Sequence, residues 1–177
     1  NMDYCQSRRH ELLLHVEKLG LGSLLVTNPV NVTYLTGFTG DSTYLLLSKD
    51  QTIIISDDRF SQQIAEECPG LDAHIRPLSQ TLTEAAGTVL TAANAQTVGI
   101  ESDHVTLSLR EALGLQATGC TFVPQSGLVE ELRAVKDSSE IERIRQAIQA
   151  AESACGMGKP TLRETDTEKE LVDRLEN

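Results

Sequence analysis

The sequence predicts an α/β fold: a mixed sheet of about six strands, covered by helices on both faces and followed by a helical C-terminal stretch. Three observations lead there. Short apolar runs bounded by Gly, Pro or Asn recur between Ser23 and Pro124, which is the pattern of buried strands. The segments between them carry apolar residues at helical spacing, several of them with N-terminal capping signals. Finally, two of the runs, TYLLLS at 43–48 and TIIIS at 52–56, are joined only by Lys49-Asp50-Gln51. A link that short makes the two strands antiparallel neighbours.

Taken in order, residues 3–19 carry Leu12, Leu13, Val16 and Leu19 at helical spacing, and Gly20 follows where a left-handed C-terminal cap is wanted. SLLVT at 23–27, bounded by Gly22 and Asn28-Pro29, reads as the first buried strand. NVTYLTGFTG at 31–40 then gathers two aromatics and two glycines in a chain with three Phe, three Tyr and no Trp. Such a stretch is either a tight turn packed on its own sheet or a surface that meets something else. The hairpin at 43–56 follows, and after it DDRF at 57–60. Neighbouring Asp57 and Asp58 point to opposite sides of an extended chain. One of them is expected to cap the helix predicted over 60–68, which Pro69-Gly70 stops.

DAHIRP at 72–77 is a weaker strand. Thr81 with Glu84 suits a capping box for a helix reaching about Ala93. TVGIES at 97–102, a helix over 108–116 and CTFVP at 120–124 complete a strand, helix, strand unit. From Leu128 onward there is no strand signal. Ser139 with Glu142 is expected as a capping box for a helix whose Ile141, Ile144, Ile148, Ala151 and Cys155 line one face. Thr167 with Glu170 repeats the signature for a last helix, in which Leu171, Val172 and Leu175 want an apolar partner. The chain is therefore expected to end shortly inside a second domain.

At 177 residues the chain suits one ordinary domain, or one domain with the start of another. Lys and Arg number 15 against 26 Asp and Glu, a net charge of −11. The overall field repels phosphate backbones and anionic membranes, which argues against nucleic acid and membrane as partners. No apolar run approaches the ~20 residues that cross a bilayer. NMDYCQSRRHELLL lacks the pattern of a signal peptide, which points to a cytoplasmic protein, with Met2 read as the native start and Asn1 as an added residue. Cys5, Cys68, Cys120 and Cys155 are far apart and form no CxxC pair, so four reduced thiols are expected. The glycosylation sequon at Asn31-Val32-Thr33 is then a chance match.

No self-sufficient catalytic constellation emerges. His10, His15, His74 and His104 are scattered without an HExxH arrangement, and Glu11 with His15 reads as a solvated pair on one helix face. There is no GxSxG elbow, and neither Cys120 nor Cys155 has a His nearby in sequence. Gly37-Phe38-Thr39-Gly40 lacks the basic flanks of an RNA clamp, and Gly156-Met157-Gly158-Lys159-Pro160 lacks the spacing of a phosphate loop. No catalytic, cofactor-binding or metal-ligating residue is assigned.

Four stretches nevertheless resemble one family in correct order. NVTYLTGFTG at 31–40 resembles the N-x-x-Y-L-T-G-F-x-G motif of the creatinase and prolidase family's amino-terminal domain. DDRF at 57–60 resembles its D-x-R-Y motif, with Phe60 where Tyr is usual. LRAVKDSSEIERIRQAIQAAESA at 132–154 resembles the family's linker and first catalytic-domain helix, and TDTEKELVDRLE at 165–176 its T-E-x-E-L helix.

The resemblance implies a ribonuclease H-like, six-stranded mixed sheet flanked by helices over residues 1–126. Residues 127–177 would be the interdomain linker and first helices of a truncated catalytic domain. It implies a parent Xaa-Pro metallopeptidase, an aminopeptidase P or prolidase, whose pita-bread catalytic domain binds two divalent metals (manganese, cobalt or zinc). Every metal ligand would lie beyond Asn177, so this chain alone would hold no metal and be inactive. The amino-terminal domain of such enzymes contacts the catalytic domain of its own chain, mediates homodimers or higher oligomers, and walls the active site against all but short proline-containing peptides. On that basis Tyr34, Phe38 and Arg59 are candidate substrate-rim or inter-subunit contacts, Phe38 presenting apolar area and Arg59 a clamp for a peptide carboxylate. Tyr34, Leu35 and Phe38 also suit a helical turn packed beneath the sheet, and Arg59 a salt bridge to Asp57 or Asp58. The same scaffold serves creatinases and proteins that have lost catalysis and bind a protein partner.

Overall fold

The computed structural model describes residues 2–161, 163, 165 and 167–176. In chain order the elements are α1 (Met2–Lys18), β1 (Ser23–Val26), α2 (Pro29–Thr36), β2 (Tyr44–Ser48), β3 (Thr52–Asp57), α3 (Ser61–Glu67), β4 (Asp72–Arg76), α4 (Leu82–Ala92), β5 (Thr97–Glu101), α5 (Leu107–Gln116), β6 (Thr121–Gln125), α6 (Leu128–Ala134), α7 (Ser138–Gly158) and α8 (Glu168–Glu176). They divide into two units, Asn1–Ala134 and Val135–Asn177.

In the first unit six strands form one sheet in the order β4-β3-β2-β1-β5-β6. β2 runs antiparallel to both β1 and β3, and the remaining pairs are parallel. Five strands therefore share a direction, and their carboxyl ends lie along one edge, where ligand-handling residues of open α/β sheets gather. The β2–β3 connection closes tightly, with the Ser48 N–H donating to the Gln51 carbonyl at 3.0 Å.

Alternation along each strand builds two cores. Leu24 and Val26 of β1, Leu45 and Leu47 of β2 and Ile54 of β3 face Leu12 and Val16 of α1, Val32 and Leu35 of α2, Ile64 of α3 and Val129 of α6. Leu25, Leu46 and Ile55 face the other way, with Val98 and Ile100 of β5, onto Ala85, Ala86, Val89 and Leu90 of α4 and Leu113 of α5. Sequence reading finds both layers because the apolar runs are continuous, as strands buried on two faces require. α1 ends as expected, with Leu21 N–H donating to the Val16 carbonyl and Gly20 N–H to that of Glu17, the double bond of a Schellman cap.

One element was anticipated only as a helical turn around Tyr34, Leu35 and Phe38 packed beneath the sheet. Asn28-Pro29 closes β1 but also opens α2: the Asn28 side chain accepts from Val30 N–H, Pro29 occupies the first turn, and Gly37 follows at φ 83°. Pro at the first helical position and Gly just past the end are ordinary helix boundaries. Eight residues between them are too few for a periodicity to stand out.

In the second unit α7 is capped by Asp137, not by the Ser139 and Glu142 pair. The Asp137 carboxylate accepts from the N–H groups of Ser139 and Glu140 at 2.9 Å each, while Glu140 reaches back to Asp137 N–H at 3.1 Å. A charged acceptor at the cap outcompetes a hydroxyl two residues later. Ile141, Ile144 and Ile148 lie partly exposed along α7. Thr167 and Glu170 do cap α8 reciprocally. Val172 is exposed there, and the side chains of Leu171 and Leu175 lie outside the described residues.

Candidate functional site

α2 and the turn after it hold the aromatic stretch. Gly37 adopts the left-handed conformation and donates its N–H to the Thr33 carbonyl, so a side chain there would be strained. The chain then turns inward. Phe38 is fully buried, and its ring meets that of Phe60 edge-to-face, centroids 5.7 Å apart at 88°, a favoured aromatic arrangement. A Cβ on Gly40 would lie 2.3 Å from Phe38 Cζ and 3.0 Å from Phe60 Cδ1. Gly40 is thus the space into which the two rings close. Thr39 ties the turn to α3, its N–H and hydroxyl donating to the Glu67 carboxylate at 2.7 and 2.8 Å.

The expectation that Phe38 presents apolar area at a rim is overturned by this burial: its ring belongs to the core between sheet and helices. Tyr34 is half-buried beneath α1, with the Arg8 guanidinium 4.1 Å above its ring. Arg8 and Arg9 donate to the carbonyls of Tyr34 and Leu35 at 3.0 and 2.7 Å. Two cations therefore sit on the negative end of α2 and satisfy carbonyls that the helix leaves over.

Arg59 and the acidic pair lie at the carboxyl end of β3. Asp57 is 2% exposed and ends the strand. Its Oδ1 accepts from Arg59 N–H and Nε at 3.1 and 2.9 Å, and its Oδ2 from Arg59 Nη2 at 2.8 Å and Arg76 Nη2 at 3.1 Å. The bidentate bonds from Arg59 are the largest influence holding the Asp57 carboxyl down, from the ordinary 3.8 to about 2. Asp57 caps the 3-10 turn Asp58–Phe60 and not the helix that one of the pair was expected to cap: α3 starts after Phe60 with no side-chain cap bond, and Asp58 accepts from the Ser61 hydroxyl. The Arg59 side chain is 64% exposed. Its guanidinium is oriented from below and open to solvent above, a geometry suited to a second carboxylate.

A second polar node at the same edge was missed in the sequence. Glu101 ends β5, and its Oε2 accepts from the N–H groups of Thr27 and Asn28 at 2.6 and 2.8 Å. Its Oε1 accepts from Asn31 Nδ2 at 2.7 Å. Asn31 is fully buried. The same Nδ2 donates to Glu130 Oε1 at 2.6 Å, and Asn31 Oδ1 accepts from Arg133 Nη1 at 3.0 Å. One amide thereby joins α2, β5 and α6. A signal was present: Asn31 opens the first family-like motif and Arg133 belongs to the third, and the fold brings them together.

Neither node contains a nucleophile beside a base, and among the described residues no group of three or more His, Cys, Asp or Glu converges as a metal site. The more open concavities lie elsewhere. A cleft of about 350 Å³ is lined by Gln6, Arg9 and His10 of α1, Lys49 of the β2–β3 turn and Asp72 of β4. A smaller cavity of about 200 Å³ adjoins it, lined by Cys5, Arg9, Thr36 and Cys68. All four cysteines are free, and no helix among the described residues is long and apolar enough to cross a membrane.

Comparison with known proteins accounts for the motifs. The family model of the creatinase/prolidase N-terminal domain matches residues 8–135. The chain is 28% identical over 139 residues to the uncharacterized peptidase YqhT of Bacillus subtilis, covering 77% of this chain and 38% of that protein. Among solved structures, an Xaa-Pro dipeptidase from Bacillus anthracis superimposes with a TM-score of 0.88 at 27% identity, over 97% of this chain and 48% of the other. The N-terminal domain of cytoplasmic peptidase PepQ from Mycobacterium tuberculosis H37Rv matches with a TM-score of 0.66 at 28% identity, over 71% of this chain and 98% of the other. The chain thus spans less than half the length of YqhT and of the Bacillus anthracis enzyme. With matched motifs, sheet order and family model in agreement, the chain belongs to the creatinase/prolidase N-terminal domain family.

Proposed function

We propose that this chain is the non-catalytic amino-terminal domain of a metal-dependent Xaa-Pro peptidase, an aminopeptidase P or prolidase, in which it supports oligomerisation and caps the active site. The observation that carries this reading is the superposition of 97% of the chain on an Xaa-Pro dipeptidase at 27% identity. The parent is a cytoplasmic homodimer or higher oligomer acting on short proline-containing peptides. Its two divalent metals, manganese, cobalt or zinc, would activate a water for attack on the bond before proline. The residues described here do not fit that metal pair, since no ligand group converges among them. The ligands belong to the catalytic domain of the parent.

Within this reading Arg59 is the residue that meets substrate. Asp57 fixes the guanidinium plane through two bonds, and its exposed side is offered to the carboxylate of a short peptide. Tyr34 contributes from under Arg8 as an inter-subunit or rim contact. In the complete parent protein, release of the amino-terminal residue from X-Pro peptides is expected with added manganese and is expected to be lost with a chelator. Arg59→Ala in that protein raises KM by about tenfold, the scale of one charged hydrogen bond, with little change in kcat. An unchanged KM removes Arg59 from the rim.

A further inference from the structure

Two thiols converge on the last turn of α2. Cys5 lies in the first turns of α1 and Cys68 directly after α3, both nearly closed to solvent and both free. Cys68 Sγ donates to the Thr36 carbonyl at 3.4 Å. Cys5 Sγ donates weakly to the Tyr34 carbonyl at 4.0 Å, and it stands 3.8 Å from where a Cβ on Gly37 would be. Gly37 follows Thr36 directly, so both sulfurs lie against the last turn of α2 and the glycine that ends it.

The thiols also line one cavity of about 200 Å³, whose single charged lining residue is Arg9. That cavity shares Gln6, Arg9, Gly70 and Leu71 with the open cleft of about 350 Å³, which gives a small solute a path to both sulfurs. A guanidinium beside a thiol favours its thiolate, the nucleophilic form. Burial works the other way and is the larger influence on Cys68, whose thiol it pushes up. Burial thus holds Cys68 in its thiol form at rest.

We propose that Cys5 and Cys68 are a peroxide-responsive dithiol that closes into an intramolecular disulfide, joining the start of α1 to the end of α3 across the Gly37 turn. One thiolate attacks the peroxide O–O bond, forming a sulfenic acid and releasing hydroxide, which takes up the proton lost by that thiol and leaves as water. The second sulfur then attacks the sulfenic sulfur, forming the S–S bond and expelling the sulfenic hydroxyl, which leaves with the second thiol proton as water. Two thiols are oxidised by two electrons in total and one hydrogen peroxide is reduced to two waters. A bond between distant segments restricts the unfolded chain, so the oxidised form is the more heat-resistant.

The test uses the chain carrying Cys120→Ser and Cys155→Ser, exposed to hydrogen peroxide, quenched with iodoacetamide and digested without reduction. The expected result is loss of two hydrogens from the intact mass, a linked peptide pair containing Cys5 and Cys68, reversal by dithiothreitol and a raised Tm. Cys5→Ser or Cys68→Ser abolishes the linked pair. The same mapping on the unsubstituted chain keeps the result independent of how well the substituted one folds. Both thiols remaining open to alkylation, separate oxygen adducts on each, or linkage only between molecules would overturn the proposal.

Discussion

Phe38 and Asp57 decide most of what single residues do in this domain. Phe38 is buried against Phe60 with Gly40 as the vacancy beneath them. Phe38→Ala is therefore expected to destabilise the chain by about 3–5 kcal/mol in urea unfolding. Gly40→Ala destabilises it through the clash, and in the double variant the two effects are expected to be clearly less than additive, because removing the ring removes the obstacle. Additive losses would show that Gly40 does not serve the ring packing. Asp57 sets a pH signature. Its folded pKa, about 2, lies below the ordinary 3.8, so the unfolded chain takes up the proton first as pH falls. Its contribution is fully present above that ordinary value and is lost as pH drops through about 2. Asp57→Asn should flatten the acid limb of urea midpoint against pH across that window; parallel limbs for the two proteins would refute the assignment. An acidic cap after β3 was legible, but it closes the 3-10 turn Asp58–Phe60 and not α3, which begins one turn later. The spacing of one and three also suited Tyr34, Leu35 and Phe38 to a turn packed beneath the sheet, which is where Phe38 lies, but spacing fixes a face and not what covers it, so the rim stayed open as an alternative. Asn31 was marked only as the first residue of the family-like motif: its partners Glu101 and Arg133 lie 70 and 102 positions away, so nothing local announced them.

At the scale of elements, boundaries were readable wherever a local interaction writes them. The Thr81 and Glu84 capping box opens α4 as the sequence predicts, and the three-residue link places β2 beside β3. The start of α2 escaped because Asn28-Pro29 serves as strand end and helix start at once, and the cap of α7 was misplaced because two overlapping signatures compete within three residues. That competition is measurable. Asp137→Ala is expected to cost about 1 kcal/mol and to raise hydrogen exchange in the first turn of α7, whereas Glu142→Ala should leave that turn unchanged. The Asn31 amide makes a second element-level claim, that it fastens α6 to the sheet. Asn31→Leu removes the amide's bonds to Glu101, Glu130 and Arg133, and the cost, about 1–3 kcal/mol, falls on the buried Glu101 carboxylate. Amide protection over Leu128–Ala134 is expected to fall more than protection in β1 or β2. A uniform loss across the sheet would mean that Asn31 stabilises the whole unit and not the attachment of α6.

For the whole molecule, the α/β class and the mixed sheet followed from short apolar runs alternating with amphipathic segments, while the strand order did not. β1 pairs with β5 across more than seventy intervening residues, and no local pattern announces such a partner. The topology gathers the carboxyl ends of five strands on one edge, and there two polar nodes fix orientation: Asp57 aims Arg59, and Glu101 holds the turn from β1 into α2. The most direct measurement compares hydrolysis of an X-Pro peptide, with added manganese, by this chain alone and by the complete parent protein at equal molar concentration. The account predicts proline-specific cleavage by the parent and none by the chain. Cleavage by the purified chain itself, or a parent that leaves the peptide intact, would contradict it.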